Sequence, residues 1–468
     1  MPPAPTRSPS DPAPGSAEAL TPGPRAGPAG GPAESLLHRG ATQAVAGARR
    51  LAQAWAPASP ARWRPGRRDA AALGPPMRRH ARALMRALRR PLVAGNQVDL
   101  LIDGPATHAA MFEAIAGARE RIDLESYIVE ADGPGAELAE RLRAKCREGV
   151  QVNLLFDGFG SIATRSAYFD ALRADGVRVC EFNPLRHWRR LLSRAVHLRD
   201  HRKLLVVDGR VAFLGGINIS GVYASGPSEA LPLHARGGDA PPWRDTHVRI
   251  AGPLVAQLQA LFVAHWNRHA ECALAPPPSR APAPLGHHHA AVASCEAGRG
   301  RNPFYRALLR AIDVAQSRVY LTTAYFVPTR RLLRALAAAA RRGVDVRLVL
   351  PSLSDAWAPL HAGRSHYGRL LQAGVRVFER QGVLLHAKTA VIDGVWATVG
   401  SANLDWRSMV HNAEANAIVL DARFGAALEA VFRDDLAASR EIGLADWRQR
   451  GWLRRMKEGL ARRFEFLL

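Results

Sequence analysis

Two stretches of the chain carry the same chemistry-bearing residues at the same spacing. One is HRKLLVVDGRVAFLGGINIS (201–220) and the other is HAKTAVIDGVWATVGSANLD (386–405). Each reads His-x-Lys, four residues, Asp-Gly, an apolar run, a small-residue step and an Asn. An imidazole can attack an electrophile or move a proton, an ammonium neutralises an anion, and a carboxamide donates to oxygen. The chain has only four lysines (Lys145, Lys203, Lys388 and Lys457) in a background of arginine, and two of them occupy the matched slot. That retention argues for a compact ammonium rather than a planar fork. Two histidines, two lysines and two asparagines suit a phosphodiester. Cations and amides hold the non-bridging oxygens, one imidazole attacks phosphorus, and the other protonates the departing alcohol. No compact carboxylate cluster points to a metal, and no cofactor is expected.

Strands and a turn must position these groups. LLVV and VAFL read as strands joined by Asp208-Gly209, a two-residue hairpin; TAVI and VWATV are joined likewise by Asp393-Gly394. Strand side chains alternate, so His201 shares a face with Lys203, and His386 with Lys388. Counting back from a two-residue turn pairs His201 with Gly216 and His386 with Ser401, which sets Asn218 and Asn403 diagonally across. Asp208 and Asp393 have the opposite parity, and are expected to serve turn and scaffold. An imidazole working through one nitrogen needs the other fixed by an acceptor. Matched carboxylates follow each motif, Asp245 in WRDTHVRIAG and Glu414 in NAEANAIVL. The expected orienters are therefore Asp245 for His201 and Glu414 for His386.

The repeat extends further. RIDLESYIVE (121–130) matches RVYLTTAYFV (318–327), and REGVQVNLLFDG (147–158) matches RRGVDVRLVLPS (341–352). A repeat of this size is a duplicated α/β domain, whose copies are expected to pair about a pseudo-twofold axis. Residues 95–271 and 302–468 are the expected domains, with a Pro- and His-rich linker at 272–301. His287, His288 and His289 are expected to be solvated there rather than metal-bound. Residues 1–94 form a basic Pro/Ala/Arg-rich arm with 15 arginines against four acids, expected to be largely disordered. Within it, 77–90 has the period of a basic amphipathic helix, and Trp452 to Leu467 repeats the pattern. Such helices lie in a membrane interface or dock on their own domain.

Composition narrows the class. At 468 residues and 47% apolar, the chain is not wholly disordered and has room for two to three domains. Four scattered cysteines exclude a disulfide scaffold. No apolar run reaches the roughly 18 residues of a conventional transmembrane helix, and no signal peptide is evident. A net charge of +23 implies an anionic partner.

These residues closely resemble the phospholipase D superfamily, whose HxKxxxxD signature is complete at His201/Lys203/Asp208 and at His386/Lys388/Asp393. Within it the chain looks most like bacterial cardiolipin synthases, through LLIDG (100–104), LESYIV (124–129), GGINIS, AYFVPT (324–329) and VGSANLDWRS–HNAEAN (399–416). The resemblance implies two mixed sheets flanked by helices and meeting at a central cleft, and a phosphohistidine intermediate on one motif histidine. It implies union of two phosphatidylglycerols with release of glycerol. Lys203, Lys388, Asn218 and Asn403 would hold the phosphate, with Ser401 helping. Which histidine attacks stays open. The implied partners are phosphatidylglycerol and an anionic membrane surface, not nucleic acid. A monomer, peripherally bound at the bacterial inner membrane, would suffice, the basic arm standing in for the family's usual N-terminal transmembrane pair. The alternatives are a phospholipase D that lets water resolve the intermediate, and a nuclease of the same superfamily.

Overall fold

The computed structural model describes residues 74–184, 194–226, 241–277, 281–298, 300 and 302–468. The disorder expected of the arm through residue 73 lies outside the described residues. Apolar runs and Ala/Leu/Arg helices alternate twice along the chain. Helix α1 (Pro75–Leu88) precedes the first half. That half runs β1 (Val93–Ile102), α2 (Asp103–Ala116), β2 (Arg121–Ser126), α3 (Gly133–Arg147), β3 (Gln151–Asp157), α4 (Ser166–Ala174) and β4 (Arg178–Phe182). It continues through β5 (Leu204–Val207), β6 (Val211–Gly215), β7 (Trp243–Arg244), β8 (Thr246–Ala251) and α5 (Val255–His269). The second half runs β9 (His288–Cys295), α6 (Pro303–Val314), β10 (Arg318–Thr322), α7 (Arg330–Arg341), β11 (Asp345–Pro351), α8 (Trp357–Arg364) and α9 (Tyr367–Gln372). Then come β12 (Arg376–Arg380), β13 (Leu384–Leu385), β14 (Thr389–Ile392), β15 (Trp396–Gly400) and β16 (Glu414–Leu420). The chain closes with α10 (Ala422–Ala437), β17 (Ser439–Glu441), α11 (Leu444–Gln449) and α12 (Trp452–Arg463).

The sheet order reads alike in both directions from the antiparallel β1/β9 pair. One side is β1-β8-β6-β5-β2-β3-β4 and the other is β9-β16-β15-β14-β10-β11-β12-β17. Each side is mixed: β2-β3-β4 and β10-β11-β12 are parallel, and the motif hairpins are antiparallel. The sheets also pack face to face. Val206, Leu214 and Val248 of the first half share one buried cluster with Val391, Val399 and Val419 of the second. Helices cover the outer faces, over Leu124 and Leu154 on one side and Leu321 and Leu348 on the other. This is the duplicated α/β architecture expected from the repeat.

Two expectations change, the hairpin register and the extent of the linker. The motif hairpins have three-residue loops: Val207 pairs with Val211, and Ile392 with Trp396. Arg210 N donates to Val207 O and Val395 N to Ile392 O, closing each turn one residue before the ladder resumes. The cross-strand partners counted from a two-residue turn are therefore off by one. Asp208 and Asp393 sit at φ +51°, tolerable for a short polar side chain. Their carboxylates accept from the backbone of Arg119, Glu120 and Arg121, and of Gln316, Ser317 and Arg318. Both anchor the turn, at the strand end remote from the histidine.

The stretch 272–301 is not linker throughout, because β9 runs through its second half. β9 pairs with β16 from Cys295↔Glu414 to His289↔Leu420 and with β1 on its other edge. Its small residues fit a crowded central strand, and the Pro- and His-rich prefix hides them in the composition. Helix α1 is docked. Ala81, Leu84 and Leu88 join Leu308 and Ile312 of α6 in one core. The buried His80 places Nε2 2.9 Å from Asp393, beside Arg79 at 2.8 Å. At the other terminus α12 forms, but Trp452, Leu453, Met456 and Leu460 stay exposed.

Candidate active site

His201 and His386 lie just before β5 and β14, and each is pinned by the opposite half. His201 N donates to Ala413 O at 3.0 Å, and His386 N to Arg244 O at 2.8 Å. β13, which leads into His386, pairs in parallel with β7. Ala413 and Arg244 are followed directly by Glu414 and Asp245, so each tether delivers a carboxylate across the halves. Both Glu414 oxygens lie 3.1 Å from His201 Nδ1. Asp245 Oδ2 lies 2.6 Å from His386 Nδ1. The pairing read from sequence order is thus exchanged: Asp245 faces His386 and Glu414 faces His201. The reason is tertiary, since the backbone contacts that fix it join segments more than a hundred residues apart.

Charge decides the tautomers. Burial pushes the carboxyl of Asp245 up, but Lys388 and His386 outweigh it and hold the group below its ordinary value. At Glu414 the same burial is outweighed by His201 and Lys203. Ionised carboxylates only accept, so Nδ1 of each ring donates and Nε2 keeps its lone pair. Burial and Lys203 lower His201 to about 4 against the pull of Glu414. Burial and Lys388 lower His386 against the pull of Asp245. Lys203 Nζ donates to His201 O at 2.8 Å, and Lys388 Nζ makes the same bond to His386 O. Burial brings Lys203 down to about 7 and Lys388 to about 8. Lys388 also depresses His201, and Lys203 depresses His386, so each imidazole feels both ammonium groups.

The remaining predicted residues divide. Asn218 Nδ2 donates to Tyr223 Oη, which lies 3.1 Å from His386 Nδ1; Asn218 Oδ1 accepts from Ile128 N. Asn403 is buried, and its Oδ1 has no partner among the described residues. The hydroxyl of Ser401 is committed to Glu414, which makes it a brace for that carboxylate. At the equivalent Gly216 a Cβ would stand 2.2 Å from Asp245 Oδ1. Glycine therefore clears space for the shorter acid, while serine supports the longer one.

Aromatic residues complete the walls. The Tyr127 ring meets His201 edge-on at 5.1 Å, and Tyr325 meets His386 at 6.4 Å. Both lie in the matched segments but one position apart, Tyr127 opposite Ala324 and Tyr325 opposite Ile128, so the repeat does not mark them as a pair. Tyr223 and Trp243, the latter 5.1 Å from His386, had no signal, because neither belongs to a matched segment.

Two clusters of metal-type residues occur among the described residues. Glu125, Asp200 and His265 are already engaged: His265 Nδ1 lies 2.7 Å from Glu125, and Arg202 pairs with Glu125. In the group His287, His288 and Asp421, His288 Nδ1 accepts from Val98 N, so its Nε2 carries the proton and points it toward Asp421. No described helix is long and apolar enough to cross a membrane.

Comparison with known proteins places these features in a family. The family described as cardiolipin synthase, PLD-like domain, matches residues 111–231 and 308–436. The chain is 36% identical over 383 residues to cardiolipin synthase A of Pseudomonas putida (strain GB-1), covering 81% of this chain and 77% of that protein. It is 34% identical over 382 residues to cardiolipin synthase of Geobacillus kaustophilus (strain HTA426), covering 80% and 73%. Among solved structures, phosphatidylserine synthase from Haemophilus influenzae Rd KW20 superposes with a TM-score of 0.63 at 16% identity, over 83% of this chain and all of that one, which shows a shared fold.

Proposed function

Because the chain belongs to the cardiolipin synthase family of the phospholipase D superfamily, and is thus an enzyme of phosphatidyl transfer, we propose its reaction: a phosphatidyl group passes from one phosphatidylglycerol to another. The observation that carries this reading is the pair of buried imidazole–carboxylate couples, each built from both halves. Nε2 of one imidazole attacks phosphorus. The P–O bond to glycerol breaks, and the other imidazole, protonated, gives its proton to the departing oxygen. The product is a phosphatidyl-histidine and free glycerol. The second imidazole, now neutral, takes the proton from a headgroup hydroxyl of the next phosphatidylglycerol. That oxygen attacks phosphorus, the P–N bond breaks, and cardiolipin leaves.

Lys203 and Lys388 neutralise the non-bridging oxygens. Burial depresses their pKa values, and the negative charge of a bound phosphodiester favours their protonated forms. The same anion favours the proton on the acidic imidazole. Asn218 and Asn403 add amide donors. The halves 95–271 and 302–468 each orient the other's histidine, so one chain completes the site and neither half is expected to act alone. The net charge of +23 suits peripheral attachment to the anionic bacterial inner membrane.

Phosphatidylglycerol vesicles with purified protein test the reading. Cardiolipin and glycerol should appear in equal amounts, and His386→Ala should abolish both. Phosphatidic acid without cardiolipin would assign the chain to hydrolysis. Cleavage of DNA without lipid turnover would overturn the reading.

A further inference from the structure

Twelve large apolar side chains stand exposed among the described residues, and all but Leu285 belong to two neighbouring features. The first is a set of loops at the site. Phe159 and Ile162 follow β3, Leu353 and Trp357 follow β11, and Val222 follows β6. β3 and β11 are the matched strands of the two halves, so the first four residues form a repeated apolar loop. Each loop is tied to a site residue. Phe159 N donates to Asp157, whose other oxygen holds Asp200 N, next to His201. The Ser161 hydroxyl, beside Ile162, bonds Tyr127 O. Asp355, between Leu353 and Trp357, accepts from Tyr325 Oη at 2.7 Å. Val222 adjoins Tyr223.

The second feature is the C-terminal segment. Trp452, Leu453, Met456 and Leu460 of α12 are exposed, as are Phe464 and Phe466 beyond it. The other face of α12 is fastened beside the second-half loop. Ala461 packs with Ala362 of α8, the helix that begins at Trp357, and with Val327. Arg407, in the loop after Asn403, donates its N–H to Leu468 O at 3.0 Å. Arg454, Arg455, Lys457 and Arg462 interleave with the exposed apolar residues. A neighbouring cavity of about 870 Å³ is lined by Arg89, Arg306, Arg330, Arg331 and Trp406.

An exposed apolar patch of this extent marks an interaction surface, and its basic flank selects an anionic one. Resting on the lipid reading above, we propose that the cleft loops and α12 form one docking face for an anionic bilayer. The apolar side chains enter the acyl boundary while the arginines meet lipid phosphates. The cleft then opens onto the interface, and a headgroup reaches the imidazoles without its acyl chains leaving the bilayer.

Sedimentation with vesicles, measured without turnover, tests this face. The probes are equal parts phosphatidylglycerol and phosphatidylcholine, and phosphatidylcholine alone. Wild type should partition onto the mixed vesicles, and less onto phosphatidylcholine. The double variants F159S/I162S, L353S/W357S and W452S/L453S should each partition at least about tenfold more weakly. Leu285→Ser should match wild type. All four should keep the wild-type melting temperature and its turnover of dispersed short-chain phosphatidylglycerol. Equal loss in Leu285→Ser would overturn the proposal, as would failure of wild type to bind the mixed vesicles. So would variants that change the size of the lipid-free protein instead, since the face would then be covered by a second copy or by residues 1–73. A chain that binds vesicles but makes no cardiolipin would refute the function and leave the docking face standing.

Discussion

Asp245→Asn should impair the chemistry of His386, although Asp245 lies in the other half. The contact is 2.6 Å, with the carboxylate fully buried. At an effective dielectric of about 20, a carboxylate and an imidazolium about 4 Å apart attract by about 4 kcal/mol. The asparagine amide also favours the wrong ring tautomer, with the proton on Nε2. A loss of about 3–5 kcal/mol of transition-state stabilisation corresponds to roughly 10²–10⁴ in rate. Two substrates locate the lesion. Phosphatidylglycerol needs a proton to release glycerol, whereas phosphatidyl-p-nitrophenol releases nitrophenolate without one. A lesion at the general acid is largely relieved on the second substrate, and a lesion at the nucleophile is not. Asp245→Asn should therefore behave as His386→Ala does, and Glu414→Gln as His201→Ala does. Grouping within halves, with Asp245→Asn matching His201→Ala, would refute the crossed pairing.

Other expectations follow from the same geometry. Gly216→Ala puts a methyl against the Asp245 carboxylate, and should lower turnover about a hundredfold while costing about 1–3 kcal/mol of stability by chemical denaturation. Ser401→Ala removes one donor from Glu414 and should slow turnover roughly 5- to 30-fold, for a loss of about 1–2 kcal/mol. The kcat/KM of the free enzyme should fall as pH rises through about 7 to 8, because Lys203 and Lys388 lose their protons there. The alkaline limb of kcat should lie higher, since bound phosphodiester restores the ammonium charges. Asp393→Ala should unfold at lower denaturant, by about 3 kcal/mol or more, because it strips the acceptor from three backbone amides and from Arg79 and His80. Asp393 is held below the ordinary carboxylate range chiefly by His80 against burial. Its stabilisation is thus complete above the unfolded value of about 3.9 and declines as pH falls further, which an acid titration of the wild type and the variant would resolve.

The histidines, lysines and duplicated fold were legible because the chain records them twice, and the second copy converts a weak motif into a strong one. The strand alternation likewise put His201 with Lys203. What was not legible is what the halves do to each other. Asp245 and Glu414 were recognised, but their partners depend on β7 meeting β13 and on Ala413 meeting His201, contacts without a local signature. The register slipped because Arg210 and Val395 belong to the turns, which the Asp-Gly pairs alone do not reveal. β9 was obscured by proline and histidine next to a run of small residues. The family resemblance made Ser401 a phosphate ligand, whereas its hydroxyl braces Glu414.

Soaking crystals with tungstate would test the shared centre most directly. One ion should bind per chain, bonded to Nε2 of one motif histidine, with Nε2 of the other, Lys203 and Lys388 contacting its oxygens. Two separate ions, or one ion touched by a single half, would contradict a common site for both imidazoles.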